Sequence, residues 1–578
     1  MDAERLNERT TVGLFFRQAA RFGDRTLVRH HDGEDWRPRS WSESAELTLR
    51  VAARLVGEGV QAGDRVGIMA ENRVEWLYCD LAIQTVGAVT VPIYPSTPAR
   101  MAQTIAGDAG VRVAFVADEL RDRLRLDRLI ALDADLPGWV AGEADPELLA
   151  EVEARAAAVA PDDLATLVYT SGTTGMPKGV MLPHRCFVDM ARSCLQVFDI
   201  GPDDESLSFL PYSHVFERIN GVFVGLAAGG STWIARGVPM LVDDLAECRP
   251  TVMVSVPRVY EKMHQQVMAV VRELPGRRRA IFRWAIGQGR RRMRGQAAPL
   301  YPLAERIVLG PLRKRLTGGR LRFFVSGGAP LSAEVESFFW ALGVKILNGW
   351  GMTETSSGAT SNTEERHRFE TVGPPLPGVE IRIGDEGEVL VRSPGNMVGY
   401  YHNPQATAET LDDDWVRTGD IGELDPDGFL RITDRKKELL KTAGGKFVAP
   451  SPMETHLMQD AAIERAVVIG DERPYVTALV VPDWRTLEVE HGITGRPEDL
   501  CDDDRARAVI QSVVDELNRD LGTWETIKYF ELLPEDLTEE SGELTPTLKV
   551  KRRVVQERYR EQIERMYEGK VRPPATAI

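Results

Sequence analysis

The sequence predicts an α/β protein, α+β overall. A large N-terminal domain of mixed and parallel sheets is covered by helices and carries a small β-barrel-like subdomain; a small α+β domain follows. Three observations carry this. Between residues 40 and 116, short apolar runs alternate with amphipathic stretches, the mark of a mostly parallel sheet with helices on its faces. Residues 375–435 turn to short β-like runs broken by turn signals. Residues 436–578 mix two strand patterns with one long helical stripe.

In chain order, Trp41–Glu58 reads as a helix, Arg65–Ala70 as a strand and Trp76–Val86 as a helix. Val89–Tyr94 then reads as a strand, Met101–Ala109 as a helix and Val111–Val116 as a strand. The strand pattern returns at Thr251–Val256 and Leu321–Val325. Residues 262–320 interrupt it as a basic helical insertion. Nine arginines stand between Val271 and Gly295 against one acid, Glu273, in a chain whose net charge is −16. Three readings stay open for the segment 272–294: a solvated helix, a patch for anionic lipid headgroups, or an RNA surface, the last short of aromatics. The β-rich segment 375–435 is punctuated by Asp385-Glu386-Gly387, Pro394-Gly395 and Pro426-Asp427-Gly428. Beyond it, Val467–Gly470 and Val476–Val481 read as strands. Residues 503–522 read as a helix striped by Val509, Val513, Leu517 and Leu521.

With 578 residues, 43% of them hydrophobic, the chain can bury several cores without disulfide or metal staples. Its acidic balance disfavours general nucleic-acid binding. The five cysteines are scattered and form no CxxC pair, which suits reduced thiols in a cytoplasmic protein. The first residues lack the apolar run of a secretory signal, and the uncharged stretches Leu81–Ala99 and Ile219–Ala235 are broken by prolines or glycines.

The strongest chemical signal is Leu167–Val180. An apolar strand runs into Thr170, Ser171, Gly172, Thr173, Thr174 and Gly175, then Lys178, then another apolar strand. Glycines let backbone approach an anion, hydroxyls donate to phosphate oxygens and a lysine adds a point charge. A Walker A loop cannot be fitted, yet the run is built for a polyphosphate.

These residues resemble the phosphate loop of the adenylate-forming (AMP-binding) superfamily, and Tyr169–Gly179 matches its form YTSGTTGxPKG. Four further motifs follow in the family's order: Asn348–Thr355, with Trp350 where tyrosine is usual; Arg417–Asp420; Ile432–Lys437; and Leu544–Lys549. The resemblance implies a domain 1–435 and a mobile C-terminal lid, 436–578, that rotates on a hinge at Lys437. Pro211–Arg218, the basic insertion and the form of the last motif are similar to the long-chain fatty-acid–CoA ligase subgroup. The implied reaction uses ATP, Mg²⁺ and coenzyme A: a fatty acid becomes an acyl-AMP with loss of pyrophosphate, then an acyl-CoA with loss of AMP.

The same resemblance assigns the site. Lys549 bridges carboxylate and α-phosphate, with Lys551 as the fallback. Thr353 bonds the α-phosphate, and Glu354 with Thr170 holds the metal. Asn348, Gly349, Trp350 and Gly351 face the adenine, and Gly327, Gly328 and Ala329 line the nucleotide. Asp420 and Arg435 take the ribose, while Lys437, Lys441 and Gly444 lie where the lid meets adenylate and CoA. His214 reads either as a core histidine or as a lining of the acyl–nucleotide boundary. Some relatives place a tunnel-gating tryptophan where this chain has Arg218. Fatty acid is the expected partner, with no nucleic acid; the expected seat is the cytoplasm and the inner face of the membrane, and oligomeric state and chain length are left open.

Overall fold

A computed structural model describes residues 1, 4, 7–170, 177–436, 438–444, 446–519, 521–538, 540–544 and 550–568. Among these, three sheets and their helices build the chain up to Arg435. The first sheet has seven strands, in the order 399–400, 178–183, 164–170, 89–93, 65–69, 113–116 and 128–131. Its interior pairs are parallel, and the hairpin of Leu164–Thr170 with Lys178–Pro183 is antiparallel. The second sheet has eight strands, in the order 360–361, 345–350, 323–326, 252–255, 205–208, 231–234, 26–31 and 36–40.

The local sequence explains the covering helices. Helix Trp41–Gly57 starts with a capping box: Ser40 Oγ accepts from the Glu43 amide at 3.1 Å, and Glu43 Oε2 accepts from the Ser40 amide at 2.7 Å. Helix Val74–Thr85 is mostly apolar and buries every residue but Glu75, as expected of a helix sandwiched inside the domain. The insertion is helical throughout most of its length, with helices Pro257–Glu273, Gly276–Met293 and Gly310–Thr317. Helix 276–293 packs against Ala333–Ala341 on the eight-stranded sheet.

The third sheet has five strands, with 415–424 at its centre and Leu430–Arg435 paired to it so that Asp420 faces Arg435. The last part of the chain carries a short ribbon, 440–441 with 447–448, and a three-stranded sheet of 463–469, 476–482 and 527–532. Helix Asp504–Arg519 buries Ala506, Ile510, Val513, Val514 and Leu517. Val509 and Leu521, expected on the same stripe, are partly buried and pack against the same core. A strict i, i+4 row rotates about 40° per step and runs off the buried face, and Leu521 lies past the helix end. Ion pairs join this domain to helix Pro257–Glu273, which leads into the insertion: Glu464 takes Arg258 and, at 3.3 Å, Lys262, while Glu490 takes Arg272 at 2.8 Å.

Candidate active site

The antiparallel hairpin sets the mouth of the expected phosphate loop, because Thr170 and Lys178 are cross-strand partners. Tyr169 Oη donates to Asp108 at 2.5 Å, and its ring lies 3.0 Å from where a Cβ on Gly179 would stand. A larger residue at 179 would press on the Tyr169 ring and its bond to Asp108. Ser171, Gly172, Thr173, Thr174 and Gly175 lie outside the described residues, as do Lys437 and Lys549.

Strand Gly399–Tyr400 adds to the far side of this hairpin, pairing with Met181 and Val180. That register puts the Tyr400 ring under the lysine, with Lys178 Nζ 4.8 Å from its centre. Tyr400 Oη in turn donates to Glu354 Oε1 at 2.6 Å. Burial, with the Glu354 carboxylate second, pushes the Tyr400 phenol well above its ordinary value, so it remains a donor. Glu354 is 8% exposed, and its backbone oxygen is held by the Met397 amide at 2.8 Å. The sequence reading missed Tyr400; its only signal was the Gly399-Tyr400-Tyr401 run, an aromatic pair without a chemical motif. One Glu354 oxygen is taken by Tyr400. The other suits a hard cation that also binds phosphates, which needs only one or two carboxylates.

Strand Lys345–Trp350 carries the second motif. Asn348, Gly349 and Trp350 are half-buried at its end, and Thr353 begins the tight turn that presents Glu354. A Cβ at Gly349 would stand 3.0 Å from the Thr360 carbonyl, and one at Gly351 only 2.0 Å from that of Ser357. The glycines flanking Trp350 thus serve close backbone packing as well as access to the ring. Trp350 Nε1 donates to Asp420 Oδ2 at 2.8 Å, and Arg435 Nε meets Asp420 Oδ1 at 3.0 Å. The sequence reading foresaw Trp350, Asp420 and Arg435 separately. The structure joins them in one clamp on a carboxylate that is 4% exposed. Each carboxylate oxygen retains a second lone pair for a ligand hydroxyl.

Gly327, Gly328 and Ala329 leave strand Phe323–Ser326. Gly327 is buried against the Phe216 ring, 3.0 Å from its would-be Cβ, while Gly328, at φ +85°, and Ala329 are exposed. His214 Nδ1 accepts the Phe216 amide at 3.0 Å, so a neutral ring carries its hydrogen on Nε2. Lys441 and Gly444 are exposed on the short ribbon and its turn. Arg552, three residues beyond Lys549, is a structural cation; both of its terminal nitrogens bond Glu454 at 2.6 Å.

Arg218 is 1% exposed. Its Nε meets Asp80 Oδ2 at 3.0 Å, its Nη2 bonds Asp80 Oδ1, and its Nη1 donates to Thr166 Oγ1 at 2.8 Å. The Trp76 and Phe187 rings flank it. It ties the turn after His214, a π-helical stretch Glu217–Phe223, to the seven-stranded sheet.

A hairpin closed by the glycine- and hydroxyl-rich run, a lysine and a buried carboxylate that share one tyrosine, and a clamped aspartate on the central strand of a third sheet suit a nucleotide-using α/β enzyme. The chain belongs to the AMP-binding enzyme family: the model of that family matches residues 15–401, and that of the AMP-binding enzyme C-terminal domain matches 437–571. It is 37% identical to the long-chain-fatty-acid–CoA ligase FadD15 of Mycobacterium bovis, over 92% of each chain. It is 32% identical to the peroxisomal long chain acyl-CoA synthetase 6 of Arabidopsis thaliana, over 96% of this chain and 84% of that one. Among solved structures, the adenylation domain of a carboxylate reductase from Mycobacterium chelonae superposes with a TM-score of 0.76 at 25% identity, covering 98% of this chain and 92% of that one.

Proposed function

We propose that this chain is a long-chain fatty-acid–CoA ligase that works in two half-reactions on one site. The observation that carries the nucleotide chemistry is the run from Lys178 through Tyr400 to Glu354, with the Trp350–Asp420–Arg435 clamp standing on the same domain. The preference for long-chain acids and for CoA rests on the relatives.

A carboxylate is a poor acyl donor because oxide is a poor leaving group. In the first half-reaction its oxygen attacks the α-phosphorus of ATP and pyrophosphate departs. Negative charge gathers at the α-phosphate, where preorganised cations and donors act most strongly. Thr170 to Gly175 cradle the phosphates, Lys178 adds charge, Thr353 donates to the α-phosphate and Lys549 bridges it to the carboxylate. Glu354 and Thr170 hold Mg²⁺, which when bound neutralises phosphate charge. Adenine lies against Trp350, with Asn348, Gly349, Gly351, Gly327, Gly328 and Ala329 around it, and Asp420 with Arg435 takes the ribose. His214 lines the border between acyl group and nucleotide. In the second half-reaction the CoA sulfur attacks the acyl carbon and AMP leaves. Lys549 must then withdraw, which a lid, 436–578, turning at Lys437 provides, bringing Lys441 and Gly444 to the adenylate.

The enzyme acts in the cytoplasm against the inner leaflet. Among the described residues no helix is long and apolar enough to cross a membrane. The insertion, however, exposes Ile281, Leu300, Leu303 and Ile307 beside its arginines, each 45–50% open. Apolar side chains set among cations suit insertion between anionic headgroups.

The deciding experiment measures AMP and pyrophosphate released from ATP, Mg²⁺ and palmitate, with and without CoA. CoA-dependent release of both is expected. Pyrophosphate release indifferent to CoA would move the acceptor to another thiol, such as a carrier protein. Silence with palmitate and other long-chain acids would overturn the substrate class.

A further inference from the structure

We propose that the cavity behind the nucleotide wall takes an acyl chain bearing a hydroxyl along its length, and that Glu217 is the group that recognises it. The inference rests on the ligase reading above and names the substrate class of the same site.

The cavity lies between the π-helical stretch Glu217–Phe223 and strands 205–208, 252–255 and 323–326. Leu207, Val224, Val252, Val254, Phe323 and Val325 make its wall largely apolar. It adjoins the nucleotide wall. Strand 323–326 runs into Gly327, which packs on Phe216, and Asn220, on the cavity wall, donates to Ser357 at 2.7 Å. Into this wall projects the Glu217 carboxyl. Glu217 is 1% exposed; its Oε1 accepts from Ser208 Oγ at 2.5 Å, and its Oε2 has no partner among the described residues. Two other polar side chains of the wall are already paired, Asp204 with Arg322 and Ser206 with Thr232.

The carboxyl is built in. A Cβ at Gly221, one turn on, would stand 2.4 Å from Glu217 Oε1, so a larger residue there would push the carboxyl from its place. A buried polar atom without a partner is costly in an apolar wall, and a ligand able to pair with it gains correspondingly. Burial raises the Glu217 acid to about 8, which keeps it protonated at neutral pH. With Ser208 donating to Oε1, the acid hydrogen sits on Oε2 and needs an acceptor. Above pH 8 the same oxygen needs a donor. A hydroxyl serves both states, whereas a plain methylene serves neither.

The test compares kcat/KM for stearate with that for positional isomers of hydroxystearate, in wild type, Glu217→Gln and Glu217→Leu. In wild type, at least one isomer should exceed stearate by roughly tenfold, a factor within the range of one well-placed hydrogen bond. The ratio should persist in part in Glu217→Gln and fall to one or below in Glu217→Leu. An equal ratio in wild type and Glu217→Leu, as a carboxyl that merely holds water would give, overturns the proposal. If Glu217→Leu does not fold, Gly221→Ala decides, because its methyl displaces the carboxyl and should lower the same ratio. Absence of stearate turnover in wild type would count against the ligase reading itself, separately from the ratio.

Discussion

Tyr400 connects two groups that the sequence offered separately. Its ring meets the Lys178 ammonium and its hydroxyl meets Glu354, so it fixes the carboxylate that would hold the metal. Partners of this kind typically change affinity or activity by ~10–100-fold when removed. Tyr400→Phe keeps the ring under Lys178 and loses only the donor. It should raise the Mg²⁺ concentration needed for half-maximal pyrophosphate release by roughly tenfold; a titration with Mg²⁺ checks this, and an unchanged midpoint would reduce Tyr400 to packing. At this scale, legibility followed chemistry. Glu354, Trp350 and Asp420 stood in motifs, and their types announced their uses. Tyr400 did not, because its role comes from a two-residue strand that lands beside the phosphate hairpin, and its bond to Glu354 spans 46 positions.

Among elements, the π-helical stretch Glu217–Phe223 depends on the buried pair Arg218–Asp80. Breaking such a pair leaves one charge stranded in the core, at a cost of about 3–5 kcal/mol, whereas replacing both partners by apolar residues can be nearly neutral. Arg218→Leu should therefore lower the first thermal transition markedly in calorimetry. Adding Asp80→Leu should recover most of the loss; no recovery would mean that Arg218 acts through Thr166 and the flanking rings instead. The sequence alone left Arg218 as a departure from the tryptophan of some relatives, since nothing in its neighbours pointed to Asp80, 138 positions away. Helices and core strands were legible from period and polarity, and the helical insertion from its charge. The edge hairpin Thr26–Ser40 was not read at all. Its second strand, Trp36-Arg-Pro-Arg-Ser40, carries a proline, alternates no apolar residues and buries none of its residues fully, as edge strands often do. Strand order was equally beyond reach, because the eight-stranded sheet pairs residue 28 with residue 232.

For the whole molecule, the two half-reactions make opposite demands on the lid. Lys549→Ala should lose pyrophosphate release while still forming thioester from supplied acyl-AMP; Lys437→Pro should do the reverse. Assays of each half-reaction separate them, and equal damage to both steps by Lys549→Ala would remove the bridging role. The basic insertion gives a second expectation. Changing Arg290, Arg291, Arg292 and Arg294 to Glu should cut sedimentation with vesicles rich in phosphatidylserine, by roughly 1 kcal/mol for each arginine that meets the headgroups. Unchanged sedimentation would leave the arginines as a solvated face.

The Trp350–Asp420–Arg435 clamp bears on the order in which products depart. All three residues stand before the proposed hinge, and the last of them is two positions short of Lys437. A lid that pivots there exchanges what surrounds the phosphate and leaves the grip on the sugar as it was. On the proposed hinge and ribose contacts, the nucleotide would be a tenant of the stationary domain through both steps. Pyrophosphate can go early, while AMP stays in place until the thioester is made, and AMP should then compete with incoming ATP for the same clamp.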